Sequence, residues 1–150
     1  MIHYRVIPQF LTDDFLTDEI IFLCKSQKYE YYEHLEFVIK LNKPKAWNVK
    51  FAINKYDGII GFNIFENHGK NTGENILSTQ FIFVHPMYQN KGIGTELMNF
   101  KSKNLDLMNK QMKGYIERVE CTKSSIRFFD KLGFKFKKLT DCKTFLQLEK

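Results

Sequence analysis

The residues best suited to chemistry by type and spacing are Gln89, Asn90, Lys91, Gly92, Ile93 and Gly94. Two glycines, one cation and a run of backbone N–H groups at a helix start form a cradle for an anion. The Gly-x-Gly order is shared with dinucleotide-binding turns, but the third glycine position holds Leu97, so that reading fails. A Walker-type loop ends in Gly-Lys-Ser/Thr, whereas Lys91 precedes Gly92. For acid–base work the first choice is Glu117, which alternation places on one strand face with Tyr115, Val119 and Cys121. An apolar face raises a carboxyl pKa toward a useful range, and the competing reading is a structural glutamate in a charge pair, an arginine being one candidate partner. His85 has a suitable ordinary pKa but sits in a Val-His-Pro turn expected to face solvent. His3, His34, His68 and His85 are scattered, and Cys24, Cys121 and Cys142 show no Cys-x-x-Cys, so no metal is expected.

The elements that must hold these residues follow from periodicity. Residues 81–84 are an unbroken apolar run, a strand buried on both faces that Pro86 must stop. From Ile93 the positions Leu97 and Phe100, with Met98 and Leu105 beside them, predict a long helix. Upstream, residues 3–7 form a first, edge-like strand. Thr12 is the expected N-cap of a helix carrying Leu16, Ile20, Leu23 and Cys24 to about Lys25. A second helix with Tyr31, Leu35 and Val38 ends near residues 42–44, and Tyr29, Tyr31 and Tyr32 read as half-buried aromatics rather than an acceptor pocket. Val49, Phe51 and Ile53 alternate with Lys50, Ala52 and Asn54 in a half-buried strand, and a turn at 56–58 leads into the strand 59–65. A polar loop over 66–75, with Gly69 and Gly73, precedes a core strand beginning near Ile76. Residues 115–121 form the next strand, parallel to it through the intervening helix. Thr122 caps a short helix bearing Ile126, Phe129 and Leu132 and closed by Gly133. Phe134 and Phe136 alternate with Lys135 and Lys137, and Phe145, Leu146 and Leu148 lie in a final strand.

The pattern Val84-x-Pro86-x-x-Gln89-x-x-Gly92-x-Gly94 resembles the acyl-CoA signature of the GNAT superfamily of N-acetyltransferases, whose turn binds the coenzyme pyrophosphate. Residues 125–134 are similar to the family's last helix, which commonly reads Phe-Tyr-x-Lys-x-Gly-Phe. The resemblance covers roughly residues 48–148, and the first 45 match only in element order. It implies an α/β (mixed α+β) fold: a central mixed, mostly antiparallel sheet of about six or seven strands flanked by helices, with a splayed parallel pair, 76–84 and 115–121. It also implies acetyl-CoA as cosubstrate and no metal. Pantetheine would pair along Ile82, Phe83 and Val84, where a backbone N–H polarises the thioester carbonyl. Gln89, Asn90, Lys91, Gly92, Ile93, Gly94 and Thr95 would hold the pyrophosphate, and Glu117 would take the proton of the acceptor amine. Gln80 stands where other members carry a strand glutamate and cannot act as a base. Thr122 replaces the usual cap asparagine near the coenzyme, and Phe129 replaces the tyrosine that usually serves as general acid toward the thiolate.

The bulk properties agree with one domain over 1–150, with about 68–70% of its unfolded surface buried and no need of a disulfide. Three widely spaced cysteines favour a reducing cytosol, and neither a secretory h-region nor a membrane-spanning run is present. The net charge of +6 disfavours a polycationic acceptor and favours the coenzyme phosphates. Basic residues are spread without a dense cluster, which speaks against nucleic acid, and Lys135, Lys137 and Lys138 protect an edge strand. The expected activity is cytoplasmic transfer of an acetyl group from acetyl-CoA to an amine, by a monomer or homodimer. The acceptor stays open among small amines, amino acids, peptide N-termini and lysine side chains. A non-catalytic acyl-CoA sensor, suggested by Phe129, and a transferase acting on an RNA-linked amine such as aminoacyl-tRNA are the alternatives.

Overall fold

A computed structural model describes residues 1–42, 47–68, 75–100, 115–140 and 145–150. Seven strands form one sheet in the order β1-β2-β3-β4-β5-β7-β6: β1 Ile2–Ile7, β2 Trp47–Asn54, β3 Gly58–His68, β4 Asn75–Val84, β5 Tyr115–Cys121, β6 Lys135–Leu139 and β7 Leu146–Glu149. The helices are α1 Asp14–Ser26, α2 Tyr32–Asn42, α3 Ile93–Leu97 and α4 Ile126–Lys131. The sheet is mostly antiparallel, with β4 and β5 the parallel pair, as expected. Their register runs from Asn75 opposite Tyr115 to Thr79 opposite Val119. By its contacts the chain divides into two compact units, Met1–Ile64 with Phe81–Lys110 and Phe65–Gln80 with Gln111–Lys150.

In the first unit α1 and α2 bury one stripe each. Leu16, Ile20, Cys24, Leu35 and Ile39 pack with Trp47, Val49, Phe51, Phe62, Phe81 and Phe83. A second cluster joins Ala52 and Ile60 to Ile93 and Leu97 of α3, with Ile82, Val84 and Tyr88 partly buried against it. The end of β4 therefore has apolar neighbours on both faces, though Ile82 and Val84 keep some exposure. β3 approaches it closely: a Cβ on Gly61 would lie 2.8 Å from the Phe83 carbonyl oxygen and 3.3 Å from Leu97 Cδ1. Only glycine fits there without displacement.

Several expectations need correction. The N-cap of α1 is Asp13, whose Oδ1 accepts the Leu16 N–H at 3.0 Å, while Thr12 ends a 3-10 turn and donates its hydroxyl to Gln9 O. The aspartate is one residue nearer the N3 donor, which is where a cap acceptor must stand. β2 is buried on both faces over its first six residues, because α3 covers the side expected to meet solvent. The helix from Ile93 ends at Leu97, and the carbonyls of Glu96 and Leu97 at that end accept side-chain donors from the sheet. Leu105 and the rest of that predicted helix lie outside the described residues, as do Gly69, Gly73, Cys142 and the end of the second helix beyond 42.

In the second unit α4 closes with a Schellman motif. Gly133 has φ +94°, its N–H bonds Asp130 O, and the Phe134 N–H reaches Phe129 O at 3.1 Å. The predicted cap does not form as expected. Thr122 makes no side-chain bond to the helix start; its Oγ1 lies 2.8 Å from Ser124 Oγ, and a 3-10 turn, Lys123–Ser125, intervenes before α4. Phe136 also departs from the alternation read in the sequence and is 59% exposed. β6 pairs only with β7, and its register slips between Phe136 and Lys138. All five residues of β6 are exposed, Phe136 among them although it stands opposite the buried Leu148.

Candidate active site

β4 passes through His85 and a 3-10 turn, Pro86–Tyr88, into the segment Gln89–Thr95 and the start of α3. The strand thus delivers Ile82, Phe83 and Val84 directly into the predicted anion turn. Asn90 (φ +62°) and Gly92 (φ +81°) are both left-handed, and a Cβ on Gly92 would meet nothing within 4 Å. Gly92 is therefore needed for its backbone conformation, not for space. The helix begins with Glu96 N–H on Gly92 O at 3.1 Å, leaving the N–H groups of Ile93, Gly94 and Thr95 without an intrahelical acceptor. No carboxylate occurs between Gln89 and Thr95, while Lys91 is exposed with its Nζ 5.4 Å from the Tyr88 ring. The Tyr88 hydroxyl donates to Asp57, fastening the turn to the β2–β3 hairpin. These features fit a phosphate group: N–H donors at a helix start, one cation and no carboxylate within the segment itself.

One predicted ligand residue, Gln89, and the rejected acid–base candidate His85 have further bonds. Gln89 Nε2 donates to Val84 O at 3.1 Å, so this side chain also braces the strand end. His85 is half-buried, and its Nδ1 accepts the Met87 N–H at 3.1 Å, a capping role that the sequence reading of a solvent-facing histidine missed.

Beneath the turn lies a polar group the sequence did not announce. Lys50, 2% exposed, donates to Glu96 O at 2.6 Å, Asn99 O at 3.0 Å and Glu96 Oε1 at 3.3 Å. Burial pushes its pKa down, and Glu96 partly offsets this. Asn63, wholly buried, donates to Leu97 O at 3.0 Å. β2 and β3 thereby hold the carbonyl end of α3, opposite the phosphate turn. In sequence Lys50 occupied an alternate strand position and read as solvent-facing. The only signal against that was its neighbour Ala52, a small residue on the same face.

In the second unit Glu117 is half-buried on β5, beside the buried Val119 and Cys121. Lys150 Nζ stands 3.7 Å from Glu117 Oε2, and the Lys150 N–H donates to Glu117 O at 3.0 Å. The charge pair considered as the alternative role is thus present, with a lysine as partner; Arg118 pairs instead with Glu149 at 2.9 Å. Gln80 is exposed and its Nε2 lies 3.2 Å from Ser78 Oγ. Phe129 is 2% exposed, with its ring centroid 5.0 Å from that of Phe128 and 5.6 Å from that of Phe134. Its contact with Phe134 is the apolar pairing that accompanies a Schellman end. Among the described residues no group of three His, Cys, Asp or Glu side chains could hold a metal ion, and no helix is long and apolar enough to cross a membrane.

The sequence model of the acetyltransferase (GNAT) domain matches residues 47–136, more than half of the chain. No curated protein sequence matches it. Among solved structures, a GNAT-family protein from Desulfovibrio desulfuricans is similar with a TM-score of 0.69 at 14% identity, over 100% of this chain and 98% of the other. The aminoglycoside 6′-acetyltransferase type Ii gives 0.69 at 17% identity, over 97% and 95%. The PaiA N-acetyltransferase from Thermoplasma acidophilum, in complex with coenzyme A, gives 0.65 at 17% identity, over 100% and 98%. At these identities the likeness is one of fold. The domain match, carried by a mixed sheet of that fold, establishes that the chain belongs to the GNAT acetyltransferase family and is an acyltransferase that takes its acyl group from CoA.

Proposed function

We propose that the protein is an N-acetyltransferase that moves the acetyl group of acetyl-CoA to a primary amine by direct attack on the thioester. The observation that carries this is the Gln89–Thr95 turn, with two left-handed residues, open N–H groups and no carboxylate, placed at the end of β4. In this reading the N–H groups of Ile93, Gly94 and Thr95 bind the pyrophosphate, and Lys91 adds a point charge. Gln89 and Asn90 shape the turn, and Gly92 supplies its conformation. The backbone of Ile82, Phe83 and Val84 pairs with the pantetheine arm as an added strand would, and an N–H there polarises the thioester carbonyl. CoA, when bound, supplies the acyl group as a thioester and a thiolate leaving group with a pKa near ~8.5, by analogy with a thiol.

Glu117 is the proposed base for the acceptor ammonium, with Lys150 as its resting partner. In this reading Thr122 and Phe129 stand beside the coenzyme, as the family resemblance implies for them. Phe129 has no proton to give, so the thiolate leaves without an acid from that position. Cys24 and Cys121 are free thiols, which suits a reducing compartment such as the cytosol. The test is an amine panel spanning small amines, amino acids, peptide N-termini and lysine peptides, read by release of free thiol from acetyl-CoA. Thiol release with one class assigns the acceptor. Tight acetyl-CoA binding with no release from any class would favour the sensor reading.

A further inference from the structure

Two carbonyls at the end of β4 are occupied by side chains rather than by a neighbouring strand. The Tyr29 hydroxyl donates to Ile82 O at 3.1 Å, and Gln89 Nε2 donates to Val84 O at 3.1 Å. Residues two apart in a strand turn their N–H and C=O groups to the same side. On that side the carbonyls of Ile82 and Val84 each already hold one donor, which shifts the balance of that edge toward its N–H groups.

Tyr29 is held for this task at three points. It is the residue after the left-handed Lys28 (φ +52°) in a Schellman end to α1, with its own N–H on Cys24 O at 2.9 Å. A left-handed non-glycine residue is strained and persists only where its surroundings require it. The ring is seated against Phe83, Tyr31 and Phe62, at centroid distances of 5.1, 5.6 and 6.2 Å. The third point is the hydroxyl on Ile82 O. Burial raises the phenol pKa well above its ordinary value, so the group remains a donor throughout the working range.

We propose that Tyr29 is a positioning residue for the acyl carrier: by filling the Ile82 carbonyl it makes this stretch of β4 a donor edge, selective for an extended chain that brings carbonyl oxygens. The inference rests on the acyl-CoA reading given above. An unfilled carbonyl here would repel an incoming amide or thioester oxygen, or hold a water that must be displaced. The same hydrogen bond also polarises the Ile82–Phe83 peptide unit.

Tyr29→Phe removes the hydroxyl and keeps the ring. The test is calorimetric titration of wild type and variant with acetyl-CoA, CoA and 3′-phosphoadenosine 5′-diphosphate, which has the phosphates but no pantetheine and no carbonyl. Thermal melts verify folding. The variant should bind acetyl-CoA and CoA roughly 2- to 10-fold more weakly and the nucleotide as wild type does. Equal loss for all three ligands would make the hydroxyl merely structural, and no loss for any would remove its role; either overturns the proposal. Failure of the wild type to bind any of the three would instead sink the acyl-CoA reading itself. Gln89→Leu, which frees the Val84 carbonyl from an exposed position, repeats the comparison should Tyr29→Phe not fold. Its affinity for the two pantetheine ligands should fall by more than that for the nucleotide, and an equal fall would count against the donor edge.

Discussion

Lys50→Met tests the polar clamp under α3. The lysine side chain is 2% exposed, while that of its acidic partner Glu96 is 40% exposed. Water can therefore take over the Glu96 carboxylate once the ammonium is gone, and that ion pair is worth little by itself. The backbone carbonyls of Glu96 and Asn99 are the costly part, since each loses a bond from a charged donor. Both bonds are only part-buried and Asn99 is exposed, so water offsets part of the loss and the two, at about 1–2 kcal/mol each, give about 2–4 kcal/mol. Methionine fills nearly the same volume and removes the cost of burying the charge, which brings the expected net loss to about 2–3 kcal/mol. Glu96→Gln leaves both carbonyl bonds in place and should cost less than about 1 kcal/mol. Urea unfolding of the three proteins, with unchanged m, measures this directly. A Lys50→Met variant within about 0.5 kcal/mol of wild type, or a costlier Glu96→Gln, would refute the clamp. There is a pH arm as well. The folded pKa of Lys50 lies below its unfolded value, so between the two the unfolded chain binds more protons and wild-type stability rises with pH. The gap between wild type and Lys50→Met should therefore widen above the depressed value toward the ordinary lysine range.

Gly61→Ala should destabilise by about 1–3 kcal/mol, because its Cβ would sit 2.8 Å from the Phe83 carbonyl oxygen; a neutral result in urea unfolding would mean β3 and β4 yield easily there. Glu117→Gln, assayed with whichever amine is accepted, should lose roughly 10²- to 10⁴-fold in rate and the acidic limb of the pH–rate profile. A near-normal rate with an unchanged profile would leave Glu117 as the structural partner of Lys150. Phe129→Tyr should cost little stability and raise kcat in single-turnover transfer if the ring edge reaches the thiolate, with acetyl-CoA affinity unchanged. A loss of more than about 2 kcal/mol with no faster transfer would assign the ring wholly to the packing against Phe134.

The parts of the fold legible in the sequence were those set by local chemistry. The strand 115–121, the stop at Pro86, the turn at Gly58 and the C-terminal glycine of the last helix each depend on a residue's own backbone preference or on a short period. The strand–turn–helix geometry around residues 89–95 was legible for the same reason, since its glycines and the helix start are contiguous. Lys50 was not, because what buries it is a pair of carbonyls 46 and 49 residues away. Tyr29 was read as an ordinary half-buried aromatic, and its partner Ile82 O lies 53 residues away on another element. Thr12 and Asp13 are both good caps, and which one serves depends on where the preceding 3-10 turn ends. Phe136 followed a clean alternation, yet β6 is an edge strand exposed along all five residues, so alternation carries no burial there.

The central claim, that the Gln89–Thr95 turn binds the coenzyme phosphates, is tested most directly by titrating acetyl-CoA into wild type and Gly94→Val while following both heat and melting temperature. Gly94 is half-buried at the first turn of α3, where a branched side chain would occupy the space in front of the open N–H groups. Wild type should bind and, at 100 times the dissociation constant, gain about 2.7 kcal/mol of stability, while the variant should fold but bind far more weakly. A folded Gly94→Val with unchanged acetyl-CoA affinity, or a wild type that shows neither heat nor thermal shift at millimolar acetyl-CoA, would contradict it.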